Sequence, residues 1–461
     1  MSNDSSSRRA FLAALAGATA TGALWPRLAA AGVSSSWQRP RAPRPTAAQL
    51  AWQRDELALF VHFGINTFTD REWGDGTESP SQFNPQRFDA RQWARAARAA
   101  GARAMILTAK HHDGFCLWPT ATTAHSVASS PWRGGQGDVV REFVDACRAE
   151  GMRPGLYCSP WDRNHPAYGD SPRYNDVYAA QLTELLTRYG TLAEVWFDGA
   201  NGEGPNGKRQ VYDWPRNWAL VRKLQPNAVM FSDVGPDVRW IGNESGVAGE
   251  TNWSTVRPDA VPYIGAGGDA VTKALQEGHA DGTVWRPGET DVSIRPGWFH
   301  HPAEDARVRS VDNLVRLFFT SVGRNSKLLL NVPPTREGLM HETDVARLAG
   351  MRSALDALFR TALPASRAWR ATGTRSGQLT MQFPTSQPVS VLDLREPIAS
   401  GQRVVSWSVT ADGNAEPVAR GTTIGYRQLR RLTGIRARTL VLTVETQDAV
   451  LRPSMLAYRG G

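Results

Sequence analysis

Four apolar runs in the first half of the chain each lead into a side chain capable of chemistry. Leu57-Ala58-Leu59-Phe60-Val61 runs into His62. Ala102 to Thr108 precedes Lys110-His111-His112-Asp113-Gly114-Phe115. Arg153 to Cys158 carries Tyr157, and Glu194-Val195-Trp196-Phe197 runs into Asp198-Gly199. One polar residue at such a terminus is ordinary. A histidine, a histidine pair, a tyrosine and an aspartate at four consecutive termini describe a lined cavity.

Two chemistries compete for this set. His62, His111, His112 and Asp198 could ligate a divalent ion that activates water. Adjacent histidines seldom reach the same ion, however, and no His-x-His motif accompanies the pair. Alternatively the imidazoles are neutral partners for sugar hydroxyls, Trp196 is a flat apolar face, and Asp198 attacks an anomeric carbon. That reading needs no cofactor, but it needs a second carboxyl group that starts protonated. A separation of ~5–5.5 Å between the two gives retention, and ~6.5–9.5 Å admits water and inverts. Glu244, Glu250 and Glu289 are the candidates, and their spacing does not choose among them.

The elements that must position these groups alternate. Short buried runs at 57–62, 102–108, 153–158, 192–197, 228–232 and 327–332 read as strands. Helical spacing covers 88–100, 139–150, 176–189, 214–224, 306–321 and 342–359. Such alternation implies parallel strands joined by helical crossovers, and seven or eight units in ~300 residues suit a closed (β/α)8-like TIM barrel. In that fold reactive groups sit where strands end and loops begin. Residues 247–294 are irregular, and no strand is assigned there. After Ala362 the pattern changes to short alternating runs separated by turn residues, which predicts a C-terminal antiparallel β-sandwich. The expected organisation is a leader over 1–32, a linker over 33–48, the barrel over 49–362 and the β-domain over 363–461.

The leader is an address. Ser7-Arg8-Arg9-Ala10-Phe11-Leu12, a following apolar run and Ala29-Ala30-Ala31 read as a twin-arginine signal for a periplasmic or secreted protein. No segment is long and apolar enough to span a membrane. The net charge is +9, yet no dense basic cluster with interleaved aromatics suggests nucleic acid. Three cysteines, Cys116, Cys147 and Cys158, leave at least one unpaired, and all three are expected to be buried, inert thiols.

Five segments in order give the chain a further likeness. They are Leu59-Phe60-Val61-His62-Phe63-Gly64, Thr108 to Phe115, Trp196-Phe197-Asp198-Gly199, Ser293-Ile294-Arg295-Pro296-Gly297-Trp298 and Leu328-Leu329-Leu330-Asn331-Val332. Over residues 52–338 the chain resembles the family 29 glycoside hydrolases, the α-L-fucosidases. The resemblance implies a fucosylated glycan as substrate and Asp198 as the nucleophile. It implies that His62, His111 and His112 bind fucose hydroxyls, and that Tyr157, Trp196, Trp298 and Arg295 surround the sugar. Glu72-Trp73 in the first loop is a further sugar-facing candidate. Phe63, Phe115 or Trp298 would wall the fucose methyl group. Around Gly235 to Glu244 the chain is similar to a subgroup whose Gly-Asn-Glu glutamate donates the proton, which nominates Glu244 and α-1,3/1,4 (Lewis-type) linkages. A metal-dependent barrel hydrolase and a silent glycan-binding protein are the competing readings.

Overall fold

The computed structural model describes residues 43–449 and 451–459, so the expected leader and most of the linker lie outside the described residues. Eight parallel strands close a barrel: β1 (Leu57–Val61), β2 (Ala104–Lys110), β3 (Arg153–Cys158), β4 (Glu194–Trp196), β5 (Val229–Ser232), β6 (Val238–Trp240), β7 (Gly288–Ser293) and β8 (Ser326–Asn331). β1 meets β8 in the register Leu57↔Leu328 to Phe60↔Asn331, which completes the ring.

Side chains in a strand alternate between faces, and here the alternation sorts the sequence into two cores. Leu57, Leu59, Val61, Met105 and Leu107 point outward into the layer shared with the helices. Ala58, Phe60, Ile106, Tyr157, Trp196, Phe231 and Leu329 fill the barrel interior. The helices start on sequence cues. The side chains of Asp89, Asp138, Asp213 and Ser310 each accept a first-turn backbone N–H, which satisfies donors a helix start leaves open.

The end of the barrel away from the loops is plugged by charge. Helix Ala47–Arg54 lays Trp52 beneath it, donating its indole N–H to Glu194. Lys327 sits 4.6 Å from that ring, 2.8 Å from Glu194 and 3.3 Å from Glu289. Glu194, Glu289 and Lys327 are all buried, so the ammonium compensates carboxyl groups that would otherwise be costly there.

Two barrel strands were not expected. β6 is three residues long and carries Arg239, and β7 reads Gly-Glu-Thr-Asp-Val-Ser, with no apolar run. The inward positions of β7 are Glu289 and Asp291, which serve the plug and the cavity, so the usual hydrophobic signal is missing. β5 and β6 are also neighbours in parallel register although only residues 233–237 join them, with no helical crossover. Parallel neighbours normally need a dozen or more connecting residues. The long 241–287 connection after β6, with helix Asp269–Glu277, is where the helical periodicity is lost.

The C-terminal region is one six-stranded antiparallel sheet: β9 (Ser366–Ala371), β10 (Ser376–Arg395), β11 (Val404–Ala411), β12 (Ala419–Gly421), β13 (Gln428–Thr446) and β14 (Ser454–Tyr458). Register shifts break the long β10–β13 ladder near 382–391, and both halves contribute to a single apolar cluster. Residues 42–461 form one compact unit, so the boundary expected at 362/363 separates two cores within one body. Val391, Leu429 and Tyr458 of the sheet belong to the barrel's own outer core. Among the described residues no helix is long and apolar enough to cross a membrane. The three cysteines are buried and unpaired, as expected.

Candidate active site

The strand ends at the loop face surround a cavity of about 560 Å³. That is within the range of small-ligand sites. It is lined by His62, Glu72, Trp73, His111, His112, Tyr157, Trp196, Asp198, Glu244 and Trp298. The inward parity of β4 explains one arrival: Glu194, Trp196 and Asp198 share a face, which runs from the plug to the cavity. The same parity carries Phe60 to His62 and Leu329 to Asn331.

Asp198 is held by two donors. The Tyr157 hydroxyl donates to Oδ2 at 3.0 Å, and the Ala200 N–H donates to Oδ1 at 2.7 Å. His112 Nε2 lies 3.9 Å from the same Oδ2. The Ser159 hydroxyl donates to the Trp161 carbonyl, so it receives His112 Nδ1–H at 2.8 Å and leaves Nε2 as the free acceptor. His62 Nδ1 donates to the Asn331 amide oxygen at 2.8 Å, which likewise turns an unprotonated Nε2 to the cavity. Burial pushes His62 down to about 3 and holds His111 and His112 below their ordinary value, so all three imidazoles are neutral near pH 7.

Glu244 stands at the rim, in the loop after β6. Its Oε2 accepts the Trp298 indole N–H at 3.2 Å. Burial raises its pKa, the Trp298 hydrogen bond opposes that shift, and the charges of Asp198 and Glu72 raise it further. The other two candidates lie elsewhere. Glu250 is exposed and faces Arg324, and Glu289 belongs to the plug, where it accepts the Trp196 indole N–H at 3.0 Å.

Arg295 is not in the cavity. Its guanidinium is buried outside the lining, donating to Asp344 at 2.8 Å and to Asp305 at 2.7 Å. It anchors the strap 296–301 instead of meeting a sugar. Phe63 and Phe115 are also turned away, packing on Phe83 at 5.6 and 5.2 Å beneath the loops. The apolar wall is made by Phe60, Trp196, Phe231, Trp240 and Trp298, with Trp196 stacked on Phe231 at 4.0 Å. Glu72 does line the cavity, but its carboxylate is occupied by the backbone N–H groups of Trp298 and Phe299 and by His301. Trp73 is 56% exposed and stands edge-on to His112 and Trp161.

Sequence reasoning missed Asp233 and Asp291. Asp233 follows β5, is pushed up to about 6 by burial, and accepts the Gly265 N–H at 2.7 Å. Asp291 accepts the Trp240 indole N–H at 2.7 Å. Strand parity would have found Asp291 once β7 was recognised. Among the described residues no group of three or more His, Cys, Asp or Glu is arranged to hold a metal ion.

Comparisons with known proteins agree with this architecture. The profile of the family described as Alpha-L-fucosidase matches residues 62–357. The chain is 42% identical to Alpha-L-fucosidase 1 of Arabidopsis thaliana, over 91% of this chain and 88% of that one. A glycoside hydrolase 29 family member from an unknown rumen bacterium superposes with a TM-score of 0.84 at 40% identity, covering 92% of this chain and 78% of the other. A Ruminococcus gnavus GH29 fucosidase in complex with fucose gives a TM-score of 0.82 at 30% identity, with 93% and 97% coverage. Five ordered motifs, a closed barrel and these likenesses converge: the chain belongs to the α-L-fucosidase family, glycoside hydrolases of family 29.

Proposed function

We propose that this α-L-fucosidase is a retaining exo-enzyme in which Asp198 is the nucleophile and Glu244 the acid/base. The reading rests on one observation: these two carboxyl groups line the same cavity, among neutral imidazoles and indole rings. An Asp198 oxygen forms a bond to the anomeric carbon as the glycosidic C–O bond breaks, and Glu244 gives its proton to the departing oxygen. Glu244, now a carboxylate, takes a proton from water as that water breaks the fucosyl ester and frees Asp198. The raised pKa of Glu244 suits the opening role, since an acid must begin protonated. His62 and His112 offer Nε2 acceptors to sugar hydroxyls, and the indole wall suits the C6 methyl group. Trp73 at the mouth suits the sugar that leaves.

The similarity around Gly235 to Glu244 supports α-1,3/1,4-linked, Lewis-type fucose as the substrate. The twin-arginine pattern of the leader supports action in the periplasm or outside the cell. Fucose release from linkage-defined oligosaccharides, followed by proton NMR, tests the chemistry. The α-anomer should appear first, and α-1,3/1,4 substrates should turn over faster than α-1,2 or α-1,6. First appearance of the β-anomer would overturn the mechanism, and a preference for another linkage would overturn the substrate assignment alone.

A further inference from the structure

Trp298 sits on a strap whose position is over-determined. Glu72 accepts the Trp298 N–H at 2.5 Å and the Phe299 N–H at 3.2 Å, and it meets His301 Nε2 at 3.0 Å. From the other side Asn331 Nδ2 donates to the Trp298 carbonyl at 2.8 Å. Behind the strap, Arg295 is fixed by two carboxylates. A backbone held at both N–H and C=O fixes where its side chain points. What that indole N–H reaches is Glu244 Oε2.

From this geometry we propose that Trp298 is a positioning residue for the acid/base, its indole N–H aiming and tuning Glu244, with Glu72 as the clamp behind it. The inference rests on Glu244 being the acid/base and adds a role for Trp298 beyond lying beside the sugar. An N–H donor bonds more strongly to a carboxylate than to a carboxylic acid. It therefore stabilises the negative charge that grows on Glu244 as the proton leaves for the glycosidic oxygen. It also keeps the side chain pointing inward although Glu244 is solvent-accessible at the rim. The charged groups facing Glu244 are Asp198 from the loop after β4, Glu72 from the loop after β1 and Asp291 from β7, with His301 beyond Glu72. All three nearest neighbours are acidic, so Trp298 is the donor that offsets them.

The test is Trp298→Phe, which keeps an aromatic ring and removes the donor. Loss of the donor should raise the pKa of Glu244, moving the alkaline limb of kcat/KM upward by about half a unit or more. Turnover of fucosides with poor leaving groups should fall about tenfold more than that of activated aryl fucosides, which need little proton donation. Trp298→Leu, which also removes the donor, should shift both readouts in the same direction, and it serves if Trp298→Phe fails to fold. An equal loss on all leaving groups with an unmoved pH limb in both variants would mean that Trp298 only packs against the sugar, and would overturn the inference. Glu244→Gln separates the two levels. If that variant retains the wild-type alkaline limb, the acid/base assignment itself fails. If it loses the limb while Trp298→Phe leaves it in place, only the tuning role fails.

Discussion

Asp113 follows the histidine pair in a buried loop behind the active site. Its carboxyl is buried, accepts the Phe115 N–H at 2.7 Å, and lies near the Glu78 carboxylate. Burial pushes it up to about 7 from an ordinary 3.8. The folded protein therefore keeps a proton that the unfolded chain releases across that interval, and this residue's contribution to stability falls as the pH rises from about 4 to 7. Asp113→Asn keeps an acceptor for Phe115 and removes the charge. Thermal unfolding should find the variant within about 1 kcal/mol of wild type at pH 4.5 and more stable at pH 8, by on the order of 4 kcal/mol. A stability difference that stayed constant across this range would show that Asp113 is ionised in the fold. The structure leaves Glu72 lining the cavity and places Arg295 outside it. Arg295 stands in a motif beside the sugar site, but its guanidinium is engaged by Asp344 and Asp305 behind the strap, a fact that motif position does not carry.

At the scale of elements, six helices and six of the eight barrel strands were legible because burial and periodicity coincide in them, whereas the helices Ala47–Arg54, Ile65–Thr69 and Asp269–Glu277 were not. The helices Trp214–Leu224 and Glu342–Phe359 fall on their expected boundaries. β6 and β7 were hidden by the work they do. The inward face of β7 must deliver Glu289 and Asp291 and cannot also carry an apolar stripe, while β6, with Arg239 turned outward, has only Val238 and Trp240 to mark its inward face. The candidate site was legible for the complementary reason: His62, Tyr157 and Asp198 stand out against apolar strands. Choosing Glu244 over Glu250 and Glu289 from the residues alone needed the tertiary structure, since all three sit on or beside the segment without periodicity. The plug yields an element-scale prediction. Lys327→Met leaves Glu194 and Glu289 without their shared cation, at a cost of about 3–5 kcal/mol. Chemical denaturation should reveal that loss. An unchanged midpoint would mean that the carboxyl groups are protonated and need no ammonium.

Across the whole molecule, the sheet domain is fastened to the barrel by buried polar contacts. Asn325 Oδ1 accepts the Tyr426 N–H of the sheet, Gln402 Nε2 donates to the Asn252 carbonyl, and Arg427 joins Asp393 of the sheet to Glu56 below β1. Such contacts form only when both parts are folded, and the unpaired thiols ask for no oxidising step. That combination suits export of the finished fold. Replacing Arg8 and Arg9 by Lys should leave active enzyme in the cytoplasm, measured by fucosidase activity in separated cell fractions. Undiminished export of the variant would rule out the twin-arginine route. The five-residue link between β5 and β6 has its own consequence. Because no crossover helix shields this sector, the 241–287 connection must serve both as outer wall and as carrier of Glu244. Changes there made to alter which glycan is accepted will therefore loosen the barrel, whereas the exposed Trp73 side chain can vary with far less hazard to the fold.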